Sequence, residues 1–167
     1  MTTDELLTYI AAERVALVAY YPLPSPVDCL RYALTELGEY EDAILRTERQ
    51  TDKRNNGRAR DWQAELGQCG EMIGAAFVQL DGWEAAVCWL SGVYRTDRQE
   101  LVGKLAVALG WQLRRATCAR DTAIVLDAWL SLCRCHELDP ADLLRARYAQ
   151  VRQKHANRPT APVEVQP

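Results

Sequence analysis

Apolar residues in this chain recur at helical spacing, with no convincing alternating run and no repeat of fixed period, so the pattern predicts helices and no strands. Capping signals mark where the helices begin. Thr2-x-x-Glu5 reads as a capping box opening a first helix through about Tyr20. Pro22, Pro24 and Pro26 then break the chain. Ser25-Pro26-Val27-Asp28 places a cap, a first-turn proline and an early acid in order, so a second helix starts there and runs to about Glu48. Residues 49–58, RQTDKRNNGR, are polar and contain glycine, which predicts a loop. A third helix is expected from about Ala59 to Leu80. Asp81-x-x-Glu84 opens a fourth to about Tyr94, Thr96-x-x-Gln99 a fifth to about Thr117, and Asp121 a sixth to about Cys135. Asp139-Pro140-Ala141-Asp142 repeats the cap-and-proline signal and starts a seventh helix to about His155. From Asn157 the proline-rich NRPTAPVEVQP reads as a disordered tail. The expected fold is all-α, an antiparallel bundle of six or seven helices forming one domain over 1–156, with the tail at 157–167.

Composition narrows the class. With 167 residues, 49% of them apolar and 26% charged, the chain suits one globular domain with a real core. No run of about 18 apolar residues occurs, and the opening MTTDELL lacks the basic-then-apolar order of a signal peptide. A cytoplasmic protein is therefore expected, in the host cytoplasm if the source is viral, with no membrane partner. The net charge of −3 argues against a nucleic-acid partner. Arg supplies 17 of the 20 basic residues, which suits phosphate recognition and equally suits codon bias. The six cysteines sit within apolar helical patterns without framework spacing and read as reduced, partly buried thiols. Cys133-x-Cys135-His136 resembles a metal fragment, but a zinc site needs a fourth ligand, and His155 is distant in sequence.

The candidate chemistry lies in two predicted helices. Glu36-x-x-Glu39 in the second is answered, after 25 intervening residues, by Glu65-x-x-Gln68 in the third. Residues three apart share a helix face, so two such helices packed antiparallel would converge three carboxylates and one amide. Carboxylates so gathered repel by about 4 kcal/mol per pair at 4 Å and an effective dielectric near 20. A hard divalent cation such as Mg²⁺ would offset that repulsion. At about 100° per residue, Glu39 falls about 60° from Glu36, in a stripe with Tyr32 and Ala43, whereas Glu41 points away. Gln68 falls about 60° from Glu65, in a stripe with Met72 and Asp61. Solvated surface acids would give the same spacing. Against that stand the locally alike segments ELGEYEDAI and ELGQCGEMI. Gly38 and Gly67 each cost about 1 kcal/mol in a helix relative to Ala, which predicts close backbone approach at both.

TELGEYEDA and AELGQCGEMI resemble the two metal-binding helices of the MazG-like all-α nucleoside triphosphate pyrophosphohydrolases, a family related to the dimeric dUTPases. The likeness covers about residues 28–80. It implies hydrolysis of (deoxy)nucleoside triphosphates to the monophosphate and pyrophosphate, with Mg²⁺ or Mn²⁺ held by Glu36, Glu39 and Glu65 as the catalytic set. It also implies a homodimer or homotetramer. Two positions depart from the family pattern. Thr35 stands where many members carry a further Glu, and Gln68 stands where the family has Asp. An amide oxygen can ligate Mg²⁺ but adds no charge, and Asp61 or Glu71 on neighbouring turns would be the compensating acid. Asp61 serves equally well as an early-helix acid and Glu71 as a surface residue. Phosphate charge beyond the metal needs donors, for which Lys53, Arg54 and Arg58 in the loop, with Arg152 and Lys154 in the last helix, are the candidates. Arg49 and Arg60 share that loop. The compact size and altered metal motif point to a phage-type member acting on dATP and dGTP. A helical adaptor that kept the fold and lost the chemistry is the alternative. A ferritin-like di-iron bundle would need Glu-x-x-His, but Cys133 and Arg152 stand three residues before His136 and His155.

Overall fold

The computed structural model describes residues 3–18, 24–48, 61–90, 97–114 and 117–155, and among these there are seven α-helices and no strand. They are α1 (Thr3–Val18), α2 (Pro26–Glu48), α3 (Trp62–Phe77), α4 (Trp83–Ala86), α5 (Arg98–Gln112), α6 (Ala119–Cys135) and α7 (Pro140–His155). A 3₁₀ turn, Val87–Trp89, follows α4. No described helix is long and apolar enough to cross a membrane. The all-α expectation holds. The Thr2 cap, the 49–58 loop and the tail from 157 lie outside the described residues.

Capping chemistry sets most boundaries. Ser25 Oγ accepts the Asp28 N–H at 3.2 Å and starts α2, while Asp139 Oδ1 accepts the Ala141 N–H at 2.7 Å and starts α7. Asp97 caps α5 by accepting the Glu100 N–H at 3.0 Å, and Thr96, the expected cap, lies outside the described residues. The α6 helix begins two residues before Asp121. The fourth expected helix is only a single turn. Gly82, at φ +74°, sets its start, and the chain passes directly into the 3₁₀ turn, so Asp81 caps nothing.

The α3 helix is the centre of the bundle, with α1, α2, α6 and α7 packed around it. Its pairing with α2 is antiparallel. Gln79, just past the end of α3, donates to Cys29 Sγ at 3.7 Å near the start of α2, while Trp62 meets Tyr40 farther along, with ring centroids 6.3 Å apart. The α7 helix instead runs parallel to α3, because Leu143 faces Gly67 and Arg147 faces Glu71 with the same offset in sequence. Small residues allow this crowding. A methyl group built at Gly70 would lie 2.0 Å from the Trp129 ring, and one at Gly74 would lie 2.8 Å from Ile10. Trp129 is fully buried and donates its indole N–H to the Leu66 carbonyl at 2.9 Å. The close approaches are thus at Gly70 and Gly74. Gly67 meets Leu143 only at ordinary contact distance, and Gly38 faces open space, which corrects the expectation for that pair.

Candidate metal centre

Glu36 and Glu39 face α3 because they share one stripe of α2 with buried Ala33 and Tyr40, while Glu41 turns to α5 and pairs with Arg98 at 2.7 Å. Glu65 sits in the first turn of α3. One carboxylate oxygen from each of Glu36, Glu39 and Glu65 lies within 4.8 Å of the others, and all three side chains are half-buried. The three glutamates singled out by spacing therefore meet.

Their mutual effect shows at Glu36. Partial burial raises its carboxyl above the ordinary value of 4.5, and a hydrogen bond to Glu65, the charge of Glu65 and that of Glu39 raise it further, to about 7. Arg147 opposes the shift. A proton held between crowded carboxylates answers the same repulsion that a cation would answer.

The fourth corner works differently. The Gln68 side-chain amide donates to Glu65 Oε2 at 2.7 Å, so it orients a carboxylate of the set. Neither proposed substitute joins the cluster. Asp61 is the N-cap of α3, its Oδ1 accepting the Gln63 and Ala64 N–H groups at 3.0 and 3.4 Å. That cap uses the carboxylate locally, which favours the early-helix role over the ligand role. Glu71 is neither a surface residue nor part of the three-carboxylate cluster. It is wholly buried, accepts from Arg147 Nε at 2.6 Å, and lies 3.8 Å from Arg14 Nη1. Two guanidiniums hold it away from the glutamates.

The basic candidates also divide. Lys53, Arg54 and Arg58, with Arg49 and Arg60, lie outside the described residues. Arg152 Nη1 donates to both oxygens of the Glu13 carboxylate, 2.6 Å from Oε1, and so ties α7 to α1. Lys154 borders the cavity that Glu36 also lines, and it makes no ion pair with a described acid. Sequence reasoning passed over Arg147. The signal was its place four residues from both Leu143 and Val151, an arginine inside an apolar stripe of α7.

A cavity of about 540 Å³ opens between α2, α3 and α7, beside the carboxylates, with Glu36, Gln68, Glu71, Tyr32, Arg147 and Lys154 among its lining residues. Other aromatic candidates serve packing. Trp62 lies against His136, with centroids 4.6 Å apart, and Trp83 against Phe77. Trp111 is exposed. His136 Nε2 bonds the Tyr40 hydroxyl at 2.5 Å, and Cys133 is buried in the core, so these two side chains of the Cys133-x-Cys135-His136 fragment are engaged separately. Compared with family models, curated proteins and solved structures, the chain has no significant match.

Proposed function

We propose that this chain hydrolyses (deoxy)nucleoside triphosphates to the monophosphate and pyrophosphate, using Mg²⁺ or Mn²⁺ at Glu36, Glu39 and Glu65. The observation that carries the proposal is the convergence of those three carboxylates from two antiparallel helices, beside a cavity bordered by cations. The donor set fits the metal. Carboxylate oxygens are hard ligands, and three of them leave coordination positions for phosphate and water oxygens, as Mg²⁺ prefers. When bound, the cation supplies charge neutralisation along the phosphates and Lewis acidity toward the attacking water.

The chain's own groups do the rest. Glu36 must give up its proton to serve as a ligand, Gln68 holds Glu65 in place, and Arg147 faces the site from α7. The MazG-like assignment rests on the resemblance of residues 28–80, and the preference for dATP and dGTP on compact size and the altered motif. Self-association as a homodimer or homotetramer belongs to the same proposal. One observation favours a second candidate, a nucleotide-binding adaptor without turnover. With Gln68 neutral and Glu71 committed to arginines, the centre has three carboxylates where the family motif supplies four. Pyrophosphate release from a panel of NTPs and dNTPs, with Mg²⁺ or Mn²⁺ and with EDTA, separates the two. Metal-dependent release from dATP and dGTP is expected. No release from any member, together with no Mn²⁺ binding, would end the hydrolase proposal.

A further inference from the structure

The cavity beside the carboxylates has two chemically different sides. Its volume, about 540 Å³, falls within the range of small-molecule sites, about 300–1,000 Å³. On the α2 side Tyr32 stands one turn from Glu36, and it is 54% exposed although it borders the cavity. Met72 lines the α3 floor one turn beyond Gln68. An exposed aromatic ring near a polarizable thioether offers an apolar face to a planar heterocycle. Arg147 stands on the α7 side.

Beneath the floor lies a caged carboxylate. One buried carboxylate, Glu71, meets two guanidiniums, Arg14 and Arg147. Arg14 is 2% exposed, and none of its three guanidinium nitrogens has a hydrogen-bond partner among the described residues. Glu71 Oε1 lacks one as well. The charge of Arg147 acts on Glu36 as well as on Glu71. Arg147 is the guanidinium of this set that reaches the cavity. With its Nε fixed by Glu71, its two terminal nitrogens can present a fork to a phosphate.

We propose that this cavity seats a nucleoside triphosphate with its base stacked on Tyr32 near Met72 and its phosphate chain held by Arg147, whose guanidinium plane is set by Glu71. The seat rests on the nucleotide proposal above and adds the residues that recognise each end of the ligand. Calorimetric titration in Mg²⁺ with the non-hydrolysable α,β-methylene analogues of dATP and dGTP and with inorganic tripolyphosphate tests it without turnover. Tyr32→Ala is expected to weaken both analogues about tenfold while leaving tripolyphosphate affinity unchanged, and Tyr32→Phe, which keeps the ring, to restore nucleotide affinity. Arg147→Gln leaves Glu71 still paired with Arg14, and it is expected to weaken all three ligands at least tenfold. Circular dichroism checks that each variant is folded. Unchanged nucleotide affinity in Tyr32→Ala, equal loss of tripolyphosphate in that variant, or no binding of any ligand by the parent protein would overturn the seat. Nucleotide binding with this pattern but no pyrophosphate release would retain the seat and remove the hydrolase. Full turnover with KM unmoved in every variant would do the reverse.

Discussion

Glu71→Gln keeps the shape of the side chain and removes its charge, leaving Arg14 and Arg147 around a neutral amide. Breaking a buried ion pair by removing one partner costs about 3–5 kcal/mol. Arg147 is 23% exposed and can turn toward solvent, whereas Arg14 is closed in, so the expected loss lies near the lower end, about 3 kcal/mol. Domain stabilities are only about 5–15 kcal/mol, which makes this a large fraction of the total. For a chain of this size each kcal/mol corresponds to about 2–4 °C, so Tm should fall by about 6–12 °C. Thermal and urea melts followed by far-UV circular dichroism in EDTA measure it. The structure adds a second signature, since Glu71 stands apart from the carboxylate cluster. Added Mn²⁺ should raise Tm equally in the parent and the variant. A Tm within about 2 °C of the parent would refute the arginine cage, and loss of the Mn²⁺ response would place Glu71 in the metal centre.

The same swap at the centre should act through chemistry. Glu36→Gln, Glu39→Gln and Glu65→Gln are each expected to lower pyrophosphate release by about 100-fold or more, while Glu41→Gln, paired with Arg98 away from the site, retains it; full activity in Glu65→Gln would refute the constellation. Because the folded Glu36 carboxyl is raised to about 7 from an ordinary 4.5, the folded state holds the extra proton. Its stabilising contribution is therefore complete below about pH 4.5 and lost as pH rises through 7. The full displacement corresponds to about 3 kcal/mol, which solvent screening of a half-exposed group reduces to about 1–2 kcal/mol. Urea melts of the metal-free protein from pH 5 to 8.5 should show this decline, Glu36→Gln should abolish it, and a flat profile in the parent would contradict it. Glycine substitutions test the packing. Gly70→Ala should cost about 3 kcal/mol because its methyl would overlap Trp129, whereas Gly38→Ala, in open space, should gain up to about 1 kcal/mol in the same melts.

Helical periodicity and caps were local signals, and they gave the bundle and most helix starts. Ser25 and Asp139 cap as their sequence context demands. The fourth helix failed because Asp81-x-x-Glu84 satisfies a capping pattern, yet Gly82 and the following 3₁₀ turn leave only one turn to cap. The three glutamates were legible because a spacing of three residues is enforced by helix geometry whatever the neighbours do. The fates of Asp61, Glu71 and Arg152 were not. Asp61 is a local cap that the stripe reads equally as a ligand, whereas Arg152 and Glu71 depend on which helix lies opposite, and Glu71 reads equally as exposed, ligating or caged until α1 and α7 supply Arg14 and Arg147. An acid buried in the central helix requires buried cations, and only tertiary structure says which ones answer.

The Glu71 cage also has a consequence for the order in which the protein assembles. Its partners come from α1 and α7, and Glu13 reaches Arg152 across 139 residues. The carboxylate helices α2 and α3 can pair as soon as both exist, since their contacts are nearer in sequence and close a shorter loop. The cleft beside them has no third wall until α7 has been synthesised and docked, and until then Glu71 and Arg14 lack a buried partner from that helix. The hairpin of α2 and α3 therefore forms early, and the cleft beside its carboxylates is completed only when the last helix closes over it.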